Sequence, residues 1–188
     1  MTGSEVPPID LPDLDVSAIE AIEGVEPVRS VRTPIRLDYR YVPGRAAVTY
    51  LEAMAEKRIL GQRDPDTGHV FVPPRGVNPA SGRVLDEFVE LPDRGHVGSF
   101  CITNVPIPGR DDLSLPYASC WIFLDGADIG FLGLVAGCDP DEVRLGMRVA
   151  AKWKPDDELT ASAENIRWWE PTGEPDMPLD EIRGGRGA

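Results

Sequence analysis

The stretch from residue 64 to residue 82, DPDTGHVFVPPRGVNPASG, contains two phrases built on one template. The phrases at 64–68 and 78–82 each have a small polar residue, then Pro, then a second polar residue three positions on, followed directly by Gly. Cys at the first and fourth positions would make two Cys-Pro-x-Cys-Gly knuckles, the spacing of a tetrahedral zinc site. Those four positions carry Asp64, Thr67, Asn78 and Ser81 instead. The spacing of a zinc ribbon is therefore present without its ligands.

The residues at the four ligand positions predict turns that are held without metal. Asp64 and Asn78 can accept hydrogen bonds from backbone amides two or three residues on, and Thr67 and Ser81 can do so more weakly. A site made from acidic residues of the first phrase, His69 and a distant Cys is the alternative. Hydroxyl and amide groups are poor zinc ligands, however, and one His does not complete a tetrahedral site. We therefore predict no bound metal.

The residues N-terminal to this stretch favour a helix preceded by an arm. Apolar residues recur at intervals of three and four before Gly61, which predicts a helix from Ala46 to Leu60. Residues 25–45 place Pro between Val, Ile, Leu and Tyr and favour extended backbone. A short helix is predicted at 15–23, where an Asp precedes and a Gly follows an apolar face.

The residues C-terminal to this stretch change to short β-rich runs separated by Gly, Pro and Asp. This spacing predicts a small antiparallel barrel of five or six strands. A short strand ended by Pro-Pro is also predicted at 70–72, between the two phrases. The predicted barrel strands are 83–91, 97–105, 118–124, 129–136, 147–153 and 165–169.

The charge balance excludes several classes of function. The chain has 32 acidic and 19 basic residues and a net charge of −13, so nucleic acid and anionic membrane surfaces would repel it. The first residues have no basic region followed by an apolar run, and residues 118–138 are interrupted by Asp125 and Asp128. We therefore expect no secretory signal, no membrane span and a cytoplasmic location. The odd number and wide spacing of Cys101, Cys120 and Cys138 predict buried reduced thiols.

The order of these pieces resembles a known family, the prokaryotic zinc-ribbon OB-fold proteins encoded beside thiolase-like enzymes. Those proteins have a helix, a Cys-x-x-Cys-Gly frame, an aromatic residue before Pro-Pro-Arg, a second Cys-Pro-x-Cys-Gly frame and a five-stranded barrel. The likeness covers about residues 49–171, and Pro73-Pro74-Arg75 between the paired frames is its most specific part. Further matching pieces are Pro116-Tyr117, CDPDEV at 138–143, GMRV at 146–149 and Trp168-Trp169-Glu170-Pro171.

The resemblance implies an α+β fold that is mostly β. A five-stranded OB-fold barrel would follow helices and a degenerate rubredoxin-like zinc ribbon that has lost its Cys ligands. The expected divisions are an extended N-terminal arm with a short helix at 1–45, a helix and metal-free ribbon relic at 46–82, the OB-fold barrel at 83–171, and a mobile tail at 172–188.

The resemblance also implies a function, that of a non-catalytic accessory subunit. Such a subunit binds and supports a thiolase-fold enzyme that acts on acyl-CoA substrates, for example a sterol-carrier-protein-type thiolase, an aldolase or an acyltransferase of lipid or steroid side-chain metabolism. A heterotetramer with two copies of each chain is expected, with a CoA thioester at the shared interface and no cofactor held by this chain. The alternatives are a free-standing acyl-CoA or lipid-binding OB module and, less favoured by the charge, a single-stranded nucleic-acid binder.

Two sets of residues are candidates for binding, and none is a candidate for catalysis. No nucleophile is spaced so that a base would share its pocket, so no catalytic residue is predicted. Basic side chains on one predicted strand, with an Arg after the Pro-Pro, could meet CoA phosphates or an acidic partner rim. Apolar and aromatic residues of the arm and ribbon could meet a partner protein. The basic set is Arg75, Arg148 and Lys152, and the partner set is Ile35, Leu37, Tyr39, Tyr41 and Phe71.

Overall fold

The computed structural model describes Leu37 and residues 41–106 and 113–183. The chain divides into two units, Met1–Tyr41 and Val42–Ala188. The helix predicted at 15–23 and the arm residues Ile35 and Tyr39 lie outside the described residues.

The first helix is shorter than the sequence predicts. Helix α1 spans Arg45–Met54, and strand β1 spans Ile59–Arg63. The predicted extension to Leu60 is wrong because Ile59 and Leu60 pack in a sheet, where they are 1% and 7% exposed. Gly61 is not a helix stop: a Cβ there would lie 2.7 Å from Val70 Cγ1 and 3.1 Å from the Phe71 carbonyl oxygen. The glycine allows two strands to approach closely.

A three-stranded antiparallel sheet follows the helix. Strand β2 spans Val70–Phe71 and strand β3 spans Glu87–Leu91, with the order β2-β1-β3. The short strand predicted at 70–72 is thus confirmed at an edge. The prediction that 83–91 is the first barrel strand is wrong, because β3 pairs with β1 and places the buried Leu91 opposite Ile59.

The predicted five-stranded barrel is present, and its strands follow the order β4-β5-β6-β8-β7. All neighbouring pairs are antiparallel except β6 and β8, which meet in parallel at Val135 and Trp169. The alternate residues Ala118, Cys120 and Ile122 are fully buried, so one face of β5 forms the core. The strands are β4 Arg94–Thr103, β5 Tyr117–Leu124, β6 Phe131–Val135, β7 Arg148–Trp153 and β8 Ile166–Pro171.

The segment after the barrel is docked against it. The Met177 amide donates to the Gly146 carbonyl at 2.8 Å, and Arg144 binds both carboxylate oxygens of Asp176 at 2.6 and 2.9 Å. Helix α2 then spans Leu179–Arg183. The prediction of a mobile tail is therefore wrong for 172–183, because hydrogen bonds and an ion pair fix this segment to the β6–β7 connection.

Helix α1 is tied to the barrel by one buried amide. Asn165 is 0% exposed, and its Nδ2 donates to the carbonyls of Met54 at 3.0 Å and Thr160 at 2.6 Å. Both carbonyls, one of them at the helix C-terminus, thus gain a donor. Neither helix of the described chain has the length and apolar character that crossing a membrane requires.

Candidate functional site

The two template phrases fold into matching turns, residues 64–69 and 78–83, called the paired turns below. In each turn the first amide donates to the sixth carbonyl, and the fifth amide donates to the first carbonyl, all at 2.8 Å. The fifth residue is the Gly of the template, and its φ of 75° or 71° suits glycine. The donor–acceptor pairs are Asp64–His69 and Gly68–Asp64 in the first turn, and Asn78–Arg83 and Gly82–Asn78 in the second.

The side chains at the four ligand positions hold these turns as the sequence predicts. Asp64 Oδ1 accepts from the Asp66 amide at 2.8 Å, and Asn78 Oδ1 accepts from the Ala80 amide at 2.8 Å. The hydroxyls of Thr67 and Ser81 each accept from the amide two residues on, at 3.3 Å. The predicted Asx-type and hydroxyl-capped turns are confirmed.

A direct side-chain bond joins the paired turns. Asn78 Nδ2 donates to Asp64 Oδ2, and the two residues are 7% and 1% exposed. The backbone N–H of Asp66, followed by the Asn78 amide, lowers the pKa of the Asp64 carboxyl below its ordinary value of 3.8. A buried carboxylate is thus satisfied by N–H donors rather than by a cation.

The four side chains do not fit a zinc ion. They offer one carboxylate, two hydroxyls and one amide, whereas structural zinc takes thiolate or imidazole ligands. Their oxygen atoms already accept backbone amides, and two of the side chains bond each other. Within 41–106 and 113–183, His, Cys, Asp and Glu form no group of three or more placed to hold a metal.

A buried glutamine supports the second turn from the neighbouring strand. Gln62 is 2% exposed, its Nε2 donates to the Leu85 carbonyl at 2.8 Å, and its Oε1 accepts from the Gly76 amide at 2.7 Å. Gln62 was not among the candidate residues from the sequence. Its position in the same strand as the buried pair Ile59-Leu60 shows why it is satisfied, since a buried amide must find partners.

A reciprocal pair of bonds joins strand β2 to the barrel. The Val70 amide donates to Asp128 Oδ2 at 2.8 Å, and the Asp128 amide donates to the Val70 carbonyl at 3.0 Å. Asp128 lies in the turn between β5 and β6. Sequence reasoning used Asp128 only as a charge that excludes a membrane span.

The three basic candidates differ in how their charges are used. Arg148 has a side chain 14% exposed and binds both carboxylate oxygens of Asp125 at 2.7 and 2.6 Å, which lowers the pKa of that carboxyl. Arg148 is thus a structural ion-pair residue rather than a free phosphate contact. Lys152 is half exposed, with Nζ 3.6 Å from Glu170 Oε2. Arg75 is exposed, and its guanidinium lies 5.9 Å from the centre of the Phe71 ring.

The partner-binding candidates also divide. Leu37 and Tyr41 are 79% and 70% exposed, which suits contact with another protein. Phe71 is 5% exposed, so the expectation that it meets a partner gives way to a packing role in the three-stranded sheet. Phe71 lies in the edge strand β2, but its side chain packs inward, so it is not available to a partner as Leu37 and Tyr41 are.

The cysteines and His96 differ in how far they are exposed to solvent. Cys120 is fully buried, and burial raises the pKa of its thiol to about 12. Cys101 is exposed, so the prediction that all three thiols are buried is wrong for it. The ring of His96 stacks on Phe123 with centroids 5.6 Å apart. Burial, and then the positive charge of Arg148, lower the pKa of His96.

Comparisons with known proteins bear on the barrel. Residues 88–154 match a family model described as the C-terminal OB-fold domain of ChsH2. A chain of the solved structure "Ltp2-ChsH2(DUF35) aldolase" is 24% identical and superposes with a TM-score of 0.52, covering 70% of this chain and 98% of that one. This likeness shows that the two chains share a fold.

A second solved structure is a DUF35-family protein of unknown function from Sulfolobus solfataricus. It is 22% identical, with a TM-score of 0.48, and the alignment covers 57% of this chain and 78% of that chain. The comparison with curated proteins gives no match.

Proposed function

We propose that this chain is a non-catalytic accessory subunit of a thiolase-fold enzyme that acts on acyl-CoA substrates. The observation that carries the proposal is the match of residues 88–154 to the ChsH2 C-terminal OB-fold domain. A solved structure that shares the fold is called "Ltp2-ChsH2(DUF35) aldolase", and this name gives two protein components, Ltp2 and ChsH2, and one activity, that of an aldolase. A place for this chain in a comparable two-component enzyme of lipid or steroid side-chain metabolism follows by analogy.

The paired turns support this proposal from the other half of the chain. We interpret them as a zinc ribbon in which hydrogen bonds stand where the metal would bind. Both turns have the same backbone pattern, with two 2.8 Å bonds and a glycine of positive φ, at the spacing that two Cys-Pro-x-Cys-Gly knuckles would have. The Asn78–Asp64 bond then supplies the link between the turns that a shared metal ion would supply.

The environment of the thiols supports a non-catalytic role. A cysteine nucleophile needs a lowered pKa, whereas burial raises the pKa of Cys120 to about 12 and that of Cys138 above its ordinary value. Cys101, which is exposed, donates to the carbonyl of its own neighbour, Ile102, at 3.6 Å. Activity would therefore lie in the partner enzyme.

The surroundings of the basic residues weigh against a free-standing acyl-CoA binder. A cavity of about 380 Å³ lies beside Arg148, and its charged lining consists of Arg144 and Arg148 with the carboxylates Glu142, Glu174 and Asp176. The carboxylates outnumber the guanidinium groups, and Arg144 is already bound to Asp176, so this lining does not favour CoA phosphates. Arg75 and Lys152 remain the proposed contacts for a CoA phosphate or an acidic partner rim at a shared interface.

Co-expression with the thiolase-like enzyme that the family resemblance leads us to expect in the neighbouring gene tests the proposal. Full-length chain should co-elute with that enzyme as a hetero-oligomer, and a chain beginning at Arg45 should assemble more weakly because it lacks the exposed Leu37 and Tyr41. Titration of the isolated chain with acyl-CoA provides the matched measurement. A full-length chain that stays alone and binds acyl-CoA would instead establish the free-standing module.

A further inference from the structure

One outer face of the barrel exposes large apolar side chains side by side. In the strand register Trp121 lies opposite Ser99 on one side and Leu132 on the other, and Ser119 lies opposite Cys101 and Leu134. Residues directly opposite each other in antiparallel strands point to the same face. The intervening residues Ala118, Cys120 and Ile122 are fully buried, so this set points outward. We call it the outer face: Ser99, Cys101, Ser119, Trp121, Leu132 and Leu134.

Two large apolar side chains of the outer face are exposed to solvent. Leu132 is 69% exposed and Trp121 is 42% exposed. The Trp121 ring extends over Gly130, where a Cβ would lie 2.6 Å from its Nε1. The pyrrole edge of the indole thus packs against the backbone at Gly130, while 42% of the residue stays exposed. A large aromatic group that is partly fixed in this way loses little side-chain entropy when it is covered.

The outer face carries no charge in a highly charged chain. Residues 99–103, 117–123 and 131–135 contain no Asp, Glu, Lys, Arg or His, although charged residues make up 27% of the sequence. A surface that faces water normally intersperses charges of both signs. The centre of a protein–protein interface is instead depleted of charge and enriched in aromatic groups.

An apolar groove continues from this face. Leu134 also lines a cavity of about 280 Å³, together with Pro116, Tyr117, Val135 and Trp168. Among the described residues that line the cavity, Glu170 alone is charged, and its Oε1 accepts from Trp168 Nε1 at 2.9 Å. A groove of this size and lining can receive an apolar side chain from another protein.

The charge of each possible binding partner distinguishes which molecule can cover the outer face. Nucleic acid requires cations for its phosphates, and the three strand segments contain none. A second copy would bring another net charge of −13 against the first. A different protein with an uncharged apolar patch meets neither difficulty.

We propose that the outer face of strands β4–β6 is the docking surface for such a protein, with Trp121 and Leu132 as anchors and the Leu134 groove receiving an apolar side chain. This inference rests on the proposed function for the identity of the protein, which is the thiolase-like enzyme. It adds a surface on the barrel to the arm residues Leu37 and Tyr41.

A charge placed on the outer face provides the first test. Leu132→Arg and Leu179→Arg make the same change at exposed leucines, of which only the first lies on the outer face. In full-length chain, Leu132→Arg should weaken binding of the enzyme by about tenfold or more, while Leu179→Arg should bind like wild type. Equal binding by both variants, or an equal loss in both, would overturn the inference.

Alkylation of Cys101 provides a test without substitution. Cys101 lies on the outer face and is exposed, whereas Cys120 is fully buried and reports whether the fold is intact. Maleimide labelling read by mass spectrometry should modify Cys101 in the free chain and spare it in the complex. Unchanged Cys101 labelling in an assembled complex, or protection of Cys101 by a single-stranded oligonucleotide, would contradict the inference.

The proposed function and the docking surface can fail separately. Wild-type chain that does not co-elute with the enzyme removes the proposed function, and the docking assignment falls with it. Wild-type chain that co-elutes, with Leu132→Arg unimpaired, leaves the proposed function in place and removes the outer face alone.

Discussion

The barrel and the paired turns are stabilised by different means. The barrel is centred on apolar side chains such as Val97, Val149 and Trp169, each at most 1% exposed. Of the four buried polar residues in the described part of the chain, Gln62, Asp64 and Asn78 belong to the sheet or its paired turns. The barrel therefore depends on packed volume, and the paired turns depend on satisfied polar groups.

This contrast shows how the paired turns can form at positions that have the spacing of a zinc site but lack Cys or His ligands. Hydrogen bonds are directional, so each lost partner leaves a buried donor or acceptor unsatisfied. Apolar packing is lost in proportion to the volume removed. Substitutions in the two regions should thus differ in size and in their dependence on pH.

The largest effect is expected from Trp169→Ala in the barrel. Trp169 is 1% exposed and packs edge-on against Phe131 with ring centroids 5.7 Å apart. Removing it should lower the free energy of unfolding by about 3–5 kcal/mol, measured by urea denaturation. Trp168→Ala, at the neighbouring half-buried position, should cost clearly less. Equal losses would show that burial does not dominate in the barrel.

A smaller effect is expected from Asn78→Ala in the paired turns. The change removes both the cap on the Ala80 amide and the donor to Asp64. The free energy of unfolding should fall by about 1–2 kcal/mol. Ser81→Ala, which loses one longer hydroxyl bond in the same turn, is the control and should cost about 0.5 kcal/mol. An unchanged denaturation midpoint for Asn78→Ala would argue against the bond between the turns.

The paired turns should also give the chain an acid-dependent term in stability. Because the folded-state pKa of Asp64 lies below 3.8, its carboxylate stabilises the fold above that pH, and the contribution is lost as pH falls through the folded-state pKa. Between about pH 5 and pH 2, Asp64→Asn should therefore lose less unfolding free energy than wild type. Asp66→Asn, an exposed change in the same turn, is the control for the loss of one negative charge. Identical slopes for wild type and Asp64→Asn would refute the assignment.

Addition of a chelator should have no effect on the stability of the chain, which is the smallest effect expected here. Wild-type chain should contain well under one zinc per molecule by elemental analysis, and its melting temperature should not change with chelator. The positive control replaces the four ligand positions together, Asp64→Cys, Thr67→Cys, Asn78→Cys and Ser81→Cys, which restores the zinc spacing and should make melting chelator-sensitive. One bound zinc per wild-type molecule would exclude the hydrogen-bonded ribbon.

Local features of the molecule could be predicted from the sequence. Each paired turn is closed by backbone bonds within six residues, so the template at 64–68 and 78–82 predicts the turns themselves. The β-rich run between turn residues predicted strand β5, and its alternate residues Ala118, Cys120 and Ile122 face the core. Neither prediction requires knowledge of what packs against the segment.

The features that the sequence did not predict depend on distant residues. Leu60 continues the helical spacing of α1, and only its sheet neighbours place it in β1. Arg148 alternates as an outward basic residue, but Asp125, 23 positions away, neutralises it. The segment at 172–183 is rich in Pro and Gly, yet Gly146 and Arg144 hold it. The secondary-structure propensity of a segment cannot predict its contacts with residues that are distant in the sequence.

The reciprocal bonds between Val70 and Asp128 have a consequence for the order in which the molecule folds. The paired turns close over short loops, whereas this contact joins residues 58 positions apart and must await the β5–β6 turn. Each residue donates to the other, so a local opening that frees one amide frees both. Hydrogen exchange at the Val70 and Asp128 amides would then report one shared free energy of opening, that of the detachment of the sheet from the barrel.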